Sequence, residues 1–185
     1  YMDPLSRLDA NDGKYHVLIG LTGSVATIKA YELMRATRGA VGEDAVIAVV
    51  ATAAAQHFVD VDQLPEGVVF VPDELEWSAW RGKGDPVVHI ELRKWADIFV
   101  IAPLSANSLA KLALGLADNL LTCVARAWDM AQSEKLMVVA PAMNTAMWKH
   151  PVTATHMATI ESWGILTIAP VSKLLACGDT GVGAM

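Results

Sequence analysis

The chain is 185 residues long, with 14 Lys and Arg against 20 Asp and Glu, a formal charge of −6 and a hydrophobic fraction of 54%. That length fits one domain or at most a tight pair. An acidic chain gains nothing from counterion release, which argues against nucleic acid as a partner, and apolar runs such as 45–50 fall well short of the roughly 18 residues a membrane span needs.

The apolar surplus implies one large core plus an apolar interface between copies. The first 14 residues, YMDPLSRLDANDGK, are polar, carry no charged-plus-apolar leader and read as a flexible segment ahead of a single domain over 15–185. The two cysteines, Cys123 and Cys177, are too far apart for a CxxC redox or zinc motif, so a reducing, cytoplasmic setting is expected.

Six short apolar runs read as strands: 15–21 (YHVLIGL), 44–52 (DAVIAVVAT), 67–71 (GVVFV), 96–103 (ADIFVIAP), 135–141 (KLMVVAP) and 164–170 (GILTIAP). Helical patterns lie between them, over 25–38 and, as one long run, over 107–128. Strands apolar on both sides that alternate with helices predict a doubly wound α/β fold of the Rossmann or flavodoxin kind, its parallel sheet carrying helices on both faces. The segment 60–86, with Trp77 and Trp80, reads as a functional loop because apolar sequence resumes on both sides.

Ligands of such sheets bind beyond the carboxyl ends of the strands. After the first strand, LTGSVA places Gly23 and Ser24 at the start of a helix; Ser24 reads either as an ordinary cap or as a hydroxyl facing an anion. The full GxGxxG fingerprint is missing, and VVATAAAQHF after the second strand offers no acid for an adenosine ribose. A dinucleotide is disfavoured; a single phosphate, as on a mononucleotide, is compatible. After the fourth strand, Ser105, Asn107 and Ser108 crowd a helix start where one cap would suffice, which points to a ligand with several polar edges. Asp118 and Asn119 interrupt the apolar pattern that follows, either as a solvated turn or as a helix break.

After the fifth strand, APAMNTAMW sets one amide, Asn144, among apolar residues, either as a cap or as a ligand contact. The tail VSKLLACGDTGVGAM, rich in glycine around Cys177, reads as a flap over 172–185. His89 lies beside Val and Ile, a setting shared by structural and catalytic histidines. His57, His150 and His156 have no zinc-site spacing, and no metal is expected.

Four stretches together, GSVA, the segment 84–129 around His89, APAMNTAMW and LACGDTGVGAM, closely resemble the homo-oligomeric flavin-containing Cys decarboxylases, in particular the branch that acts on phosphopantothenoylcysteine. The resemblance runs from about Tyr15 to Met185. It implies a homotrimer with FMN at the subunit interface and conversion of phosphopantothenoylcysteine to phosphopantetheine in coenzyme A synthesis. The implied route is oxidation of the cysteine moiety to a thioaldehyde, loss of CO2, and re-reduction. Carried over position by position, Gly23, Ser24, Val25, Thr52, Ala53, Ala54, Phe58, Ser105, Ala106, Asn107, Ser108 and Ala142 would hold FMN. Asn144, Leu175, Ala176 and Met185 would bind substrate, while His89 and Cys177 would be catalytic, Cys177 as the proton donor in the reduction. The chain departs from the family pattern at 52–55, TAAA where a serine is common, and at Leu174, where a basic residue is common. Some members of this family instead act as regulatory subunits that inhibit a protein phosphatase; the retention of His89 and Cys177 argues for the enzyme.

Overall fold

The computed structural model describes residues 4–131, 134–174 and 180–184. Strands β1 (His16–Leu21), β2 (Val46–Ala51), β3 (Val69–Val71), β4 (Ile98–Leu104), β5 (Leu136–Pro141) and β6 (Leu166–Thr167) form one sheet in the order β3-β2-β1-β4-β5-β6. Every neighbouring pair is parallel. The expected doubly wound fold is therefore present, and the strand order reverses between β1 and β4, which opens a crevice at their carboxyl ends. The sixth strand is shorter than the apolar run 164–170: two residues pair, and Gly164 just before them sits at φ +89 in a turn.

Alternation along β1 divides the core into two layers. Val17, Ile19 and Leu21 pack with Ile47, Val49 and Met34 of α1 (Ala30–Val41). Leu18 points the other way, into a larger cluster with Phe99, Ile101 and Leu121 that also takes Leu92 of α3 (Val88–Trp95) and Val124 of α5 (Leu120–Ala127). Gly20 makes this second layer tight. A Cβ there would stand 3.0 Å from Leu121 Cδ1 and 3.1 Å from Phe99 Cε2, so its absence lets α5 press on the sheet. Lys135 finishes α3 by donating to the carbonyls of Arg93, Lys94 and Ala96, and burial lowers its ammonium below the usual lysine range.

Two helical expectations need correction. The pattern over 25–38 opens as a 3-10 turn, Val25–Lys29, before α1 begins, because Ser24 caps it and Thr27 Oγ1 turns back to the Thr22 carbonyl at 2.7 Å. The run over 107–128 is two helices, α4 (Ala106–Leu114) and α5. Gly115, at φ 72, ends the first in a left-handed turn. Asn119 starts the second with a reciprocal capping box to Thr122, so the polar pair 118–119 marks a helix break. The remaining α-helices among the described residues are α2 (Leu75–Ser78), α6 (Thr145–Lys149) and α7 (Pro151–Ser162). Strands β7 (Val171–Leu174) and β8 (Thr180–Ala184) pair antiparallel as a separate hairpin within the flap segment.

On the α1 side, the sheet is open over β4 to β6. Leu136, Leu166 and Ile168 share that face with Val100 and Val138 and are 41%, 50% and 54% exposed. Parallel strands are ordinarily covered on both faces, so this stripe lacks its second layer among the described residues. No described helix is long and apolar enough to cross a membrane.

Candidate active site

Four loops meet at the carboxyl edge of the sheet, and buried hydroxyls join them. Thr22, the first residue after β1 and fully buried, donates through Oγ1 to the Pro103 carbonyl at 2.7 Å and accepts from the Ser105 N–H at 2.8 Å. It pins the β1 loop to the end of β4. Ser24 Oγ then reaches the Ala142 carbonyl at 3.3 Å, which ties the same loop to the end of β5. On the other side, Thr52 N–H donates to the Leu21 carbonyl at 3.0 Å and fixes the start of the β2 loop. Gly23 and Ala54 touch so closely that a Cβ on Gly23 would lie 2.6 Å from the Ala54 Cβ. Here glycine is required by the approach of a neighbouring loop.

The residues expected at a flavin all come after the carboxyl ends of these strands. Gly23, Ser24 and Val25 follow β1; Thr52, Ala53, Ala54 and Phe58 follow β2; Ser105, Ala106, Asn107 and Ser108 follow β4; Ala142 follows β5. Ser105 caps α4 by accepting from Ser108 N–H and donates from Oγ to Ser108 Oγ, both at 3.3 Å. Both serines are buried, whereas Asn107, Ala53 and Ala54 are exposed to the crevice edge. Among the described residues the backbone N–H groups of Val25, Ala53 and Ala54 meet no acceptor. Free amides beside a close glycine approach fit the phosphate of a mononucleotide. The exposed alanines at 53 and 54 offer no side-chain hydroxyl, so a phosphate placed there would meet backbone amides alone.

Asn144 lies after β5 and caps α6: Oδ1 accepts from Met147 N–H at 3.1 Å. The capping role and a ligand role are not exclusive, because the cap uses the oxygen and leaves the Nδ2 donors without a described partner. Next to it, Thr145 Oγ1 is buried and has no hydrogen-bond partner among the described residues.

His89 belongs to a second cluster, built from α2, α3 and α5. It stands in the first turn of α3, and its backbone N–H donates to Glu76 Oε2 at 3.1 Å while ring Nδ1 lies 2.5 Å from Glu76 Oε1. Glu76 is 7% exposed. One turn earlier, Asp73 Oδ1 accepts the Leu120 N–H at 2.6 Å, so two carboxylates of one short segment each receive a helix N-terminus. Cys123 completes the cluster; its sulfur and the donor atoms of Glu76 and His89 lie within 4.8 Å of one another. Burial, and then the charges of Glu76, Asp73 and Asp118, push its thiol above the usual cysteine range. Asp118 itself is held below the usual carboxylate range by its hydrogen bond from Lys111.

No described contact joins the His89 cluster to Asn144. Cys177, Leu175, Ala176 and Met185 lie outside the described residues. Sequence reasoning missed Thr22, Glu76, Asp73 and Thr145. A hydroxyl between a buried strand and a glycine could have pointed to Thr22, and an acid wedged between Leu75 and Trp77 to Glu76. A cavity of about 380 Å³ lined by Leu112, Trp128, Met137 and Trp163 lies at the opposite, amino edge of the sheet and takes no part in this region.

The family model for flavoproteins matches residues 5–185. A phosphopantothenoylcysteine decarboxylase from Oryza sativa subsp. japonica is 54% identical over 172 residues, 93% of this chain and 75% of the relative. Among solved structures, a Cys-to-Ser mutant of a PPC decarboxylase complexed with pantothenoylaminoethenethiol matches with a TM-score of 0.87 and 50% identity, covering 93% of this chain and 91% of the other. The FMN binding protein AtHal3 matches with a TM-score of 0.83 and 51% identity, covering 93% and 89%.

Proposed function

The chain belongs to the flavoprotein family, and we propose that it is an FMN-dependent phosphopantothenoylcysteine decarboxylase that makes phosphopantetheine for coenzyme A synthesis. The observation that carries this reading is the likeness to a PPC decarboxylase holding an enethiol, which extends over nine-tenths of the chain. An enethiol is what remains when a cysteine-derived thioaldehyde loses CO2.

FMN would be held by the loops after β1, β2, β4 and β5, with the free amides of Val25, Ala53 and Ala54 at its phosphate; when bound, it supplies the two-electron oxidation of the cysteine moiety and the return of those electrons. The residues of this chain do the rest. His89 takes the proton released from the substrate thiol. Asn144 donates through Nδ2 to the substrate carboxylate while its oxygen stays on the α6 cap. A neutral amide orients a carboxylate without opposing its departure as uncharged CO2, whereas an ion pair would stabilise the ground state. Cys177, carried on the 172–185 segment, gives a proton to the enethiolate as it is reduced. Two electrons leave and two return, so the reaction is redox-neutral overall.

We also propose a homo-oligomer, trimeric as the family resemblance implies. The open sheet face at Leu136, Leu166 and Ile168 supports an apolar interface between copies. The free thiol of Cys123 fits the reducing, cytoplasmic compartment expected from the sequence.

The test is a visible spectrum of the purified, FMN-supplemented protein before and after anaerobic addition of phosphopantothenoylcysteine. The reading expects flavin absorption that falls and recovers as CO2 is released. Protein that binds no flavin and releases no CO2 would overturn it.

A further inference from the structure

Glu76 is a buried carboxylate with both oxygens committed to one residue. Oε2 accepts the backbone N–H of His89 at 3.1 Å, and Oε1 faces ring Nδ1 at 2.5 Å. The segment that carries it is fixed independently, since Asp73 accepts the first N–H of α5 and Leu75 packs against the core. Glu76 therefore has little freedom to turn away. Ring Nε2 of His89 has no hydrogen bond from the described residues, and the side chain is a quarter exposed.

We propose that Glu76 is the positioning residue of the reaction: it holds the imidazole of His89 in the Nδ1–H form and leaves Nε2 as the unprotonated, outward-facing nitrogen that receives the substrate's proton. The inference rests on the assignment of His89 above. A carboxylate has acceptors only, so the nitrogen facing it carries the hydrogen. The neutral ring then has its lone pair on Nε2. A histidine in the opposite tautomer would present an N–H to the substrate thiol and could not take its proton.

The same geometry explains why an acid and not an amide stands at this position. In Glu76→Gln the amide oxygen would still be drawn to the His89 backbone N–H. Its NH2 would then face Nδ1 and drive the ring to the Nε2–H form. The substitution preserves shape and burial but reverses the tautomer. Cys123, beside the pair, does not compete for the proton at neutral pH, since its surroundings keep it a thiol.

The experiment uses the FMN-loaded protein with 15N-labelled histidine, the His89 signals being identified by their absence in His89→Asn. The wild type is expected to show a protonated Nδ1 and an unprotonated Nε2 at His89. Glu76→Gln is expected to exchange these signatures, retain FMN, keep KM within about 3-fold and lose about 100-fold or more in kcat, as misoriented catalytic histidines do. Glu76→Asp, which keeps a carboxylate on a shorter arm, should restore the Nδ1–H signature and part of the rate. A wild-type His89 protonated at Nε2 would overturn the proposal even if Glu76→Gln failed to fold. So would a folded Glu76→Gln with undiminished kcat. Wild-type protein that does not turn over phosphopantothenoylcysteine would instead sink the functional reading, and the tautomer measurement would still decide the role of Glu76.

Discussion

Gly23→Ala tests whether the loops after β1 and β2 form one cofactor cradle. The added Cβ would stand 2.6 Å from the Ala54 Cβ. Carbon atoms rest at about 3.5–4.0 Å, so one loop must retreat by roughly 1 Å. The β2 loop cannot easily give way, because Thr52 N–H is bonded to the Leu21 carbonyl at 3.0 Å and Ala55 N–H to the Thr52 carbonyl at 2.8 Å. Overpacking of this kind costs about 1–3 kcal/mol. Much of it falls on the bound state, which needs the amides of Val25, Ala53 and Ala54 in register, and FMN affinity should drop about 10- to 100-fold. Ala54→Gly removes the atom struck. The next distances from that Cβ, 3.6 and 3.7 Å to Ala54 backbone carbons, are ordinary contacts. The double variant should therefore bind within about 3-fold of the wild type. Fluorescence titration of the apoprotein with FMN, with thermal melts alongside, measures both. An unchanged affinity in Gly23→Ala, or a double variant as weak as the single, would refute the reasoning.

Thr22→Val keeps the shape of a fully buried residue but leaves the Pro103 carbonyl and Ser105 N–H without their partner; a loss of about 2–4 kcal/mol is expected in denaturant unfolding of the apoprotein, and a change under about 0.5 kcal/mol would contradict it. Asn144→Asp retains an N-cap as good as asparagine and should melt like the wild type, yet the new charge opposes the substrate carboxylate and should cost at least about 100-fold in activity; full activity would mean that Asn144 only caps α6. Asn144→Ala should lose about 1 kcal/mol of stability as well as the activity. Cys123 should be alkylated by iodoacetamide more slowly than glutathione at neutral pH. Its raised thiol range means less thiolate there, with the rate climbing only as the pH moves well above the usual cysteine range; peptide mapping of the Cys177→Ser variant measures this, and a rate equal to glutathione's would contradict it.

The strands were legible because their signal is local. Residues 17–21 and 46–51 are apolar on both sides, as a parallel strand buried on both faces must be, and 98–104 reads the same way although Ile98 and Val100 on its α1 side are only half-buried. The positions of Gly23, Ser24, Ser105 and Asn144 followed from the same pattern, since each comes directly after a strand. The break inside 107–128 was visible as the polar pair 118–119 but was ambiguous, because a capping box differs from a solvated turn only through the Asn119–Thr122 pairing. Glu76 was invisible for a different reason. It meets His89 at a separation of thirteen residues, across the turn that joins α2 to α3, which no periodicity marks. The Thr22–Ser105 bond spans 83 residues and depends on β4 lying beside β1, a fact of topology and not of spacing. The resemblance to a family gave roles to His89 and Asn144 but said nothing about what orients them; their hydrogen bonds do.

The most direct test of the central claim is a product balance. FMN-loaded protein is incubated with phosphopantothenoylcysteine alone, without added oxidant or reductant, and CO2 and phosphopantetheine are both quantified. For the wild type, the account predicts equal amounts of the two over many turnovers; for Cys177→Ser, it predicts about one equivalent each of CO2 and enethiol per bound FMN and no phosphopantetheine, because the two electrons removed are not returned. Absence of CO2, or CO2 that forms only when an external electron acceptor is supplied, would contradict it.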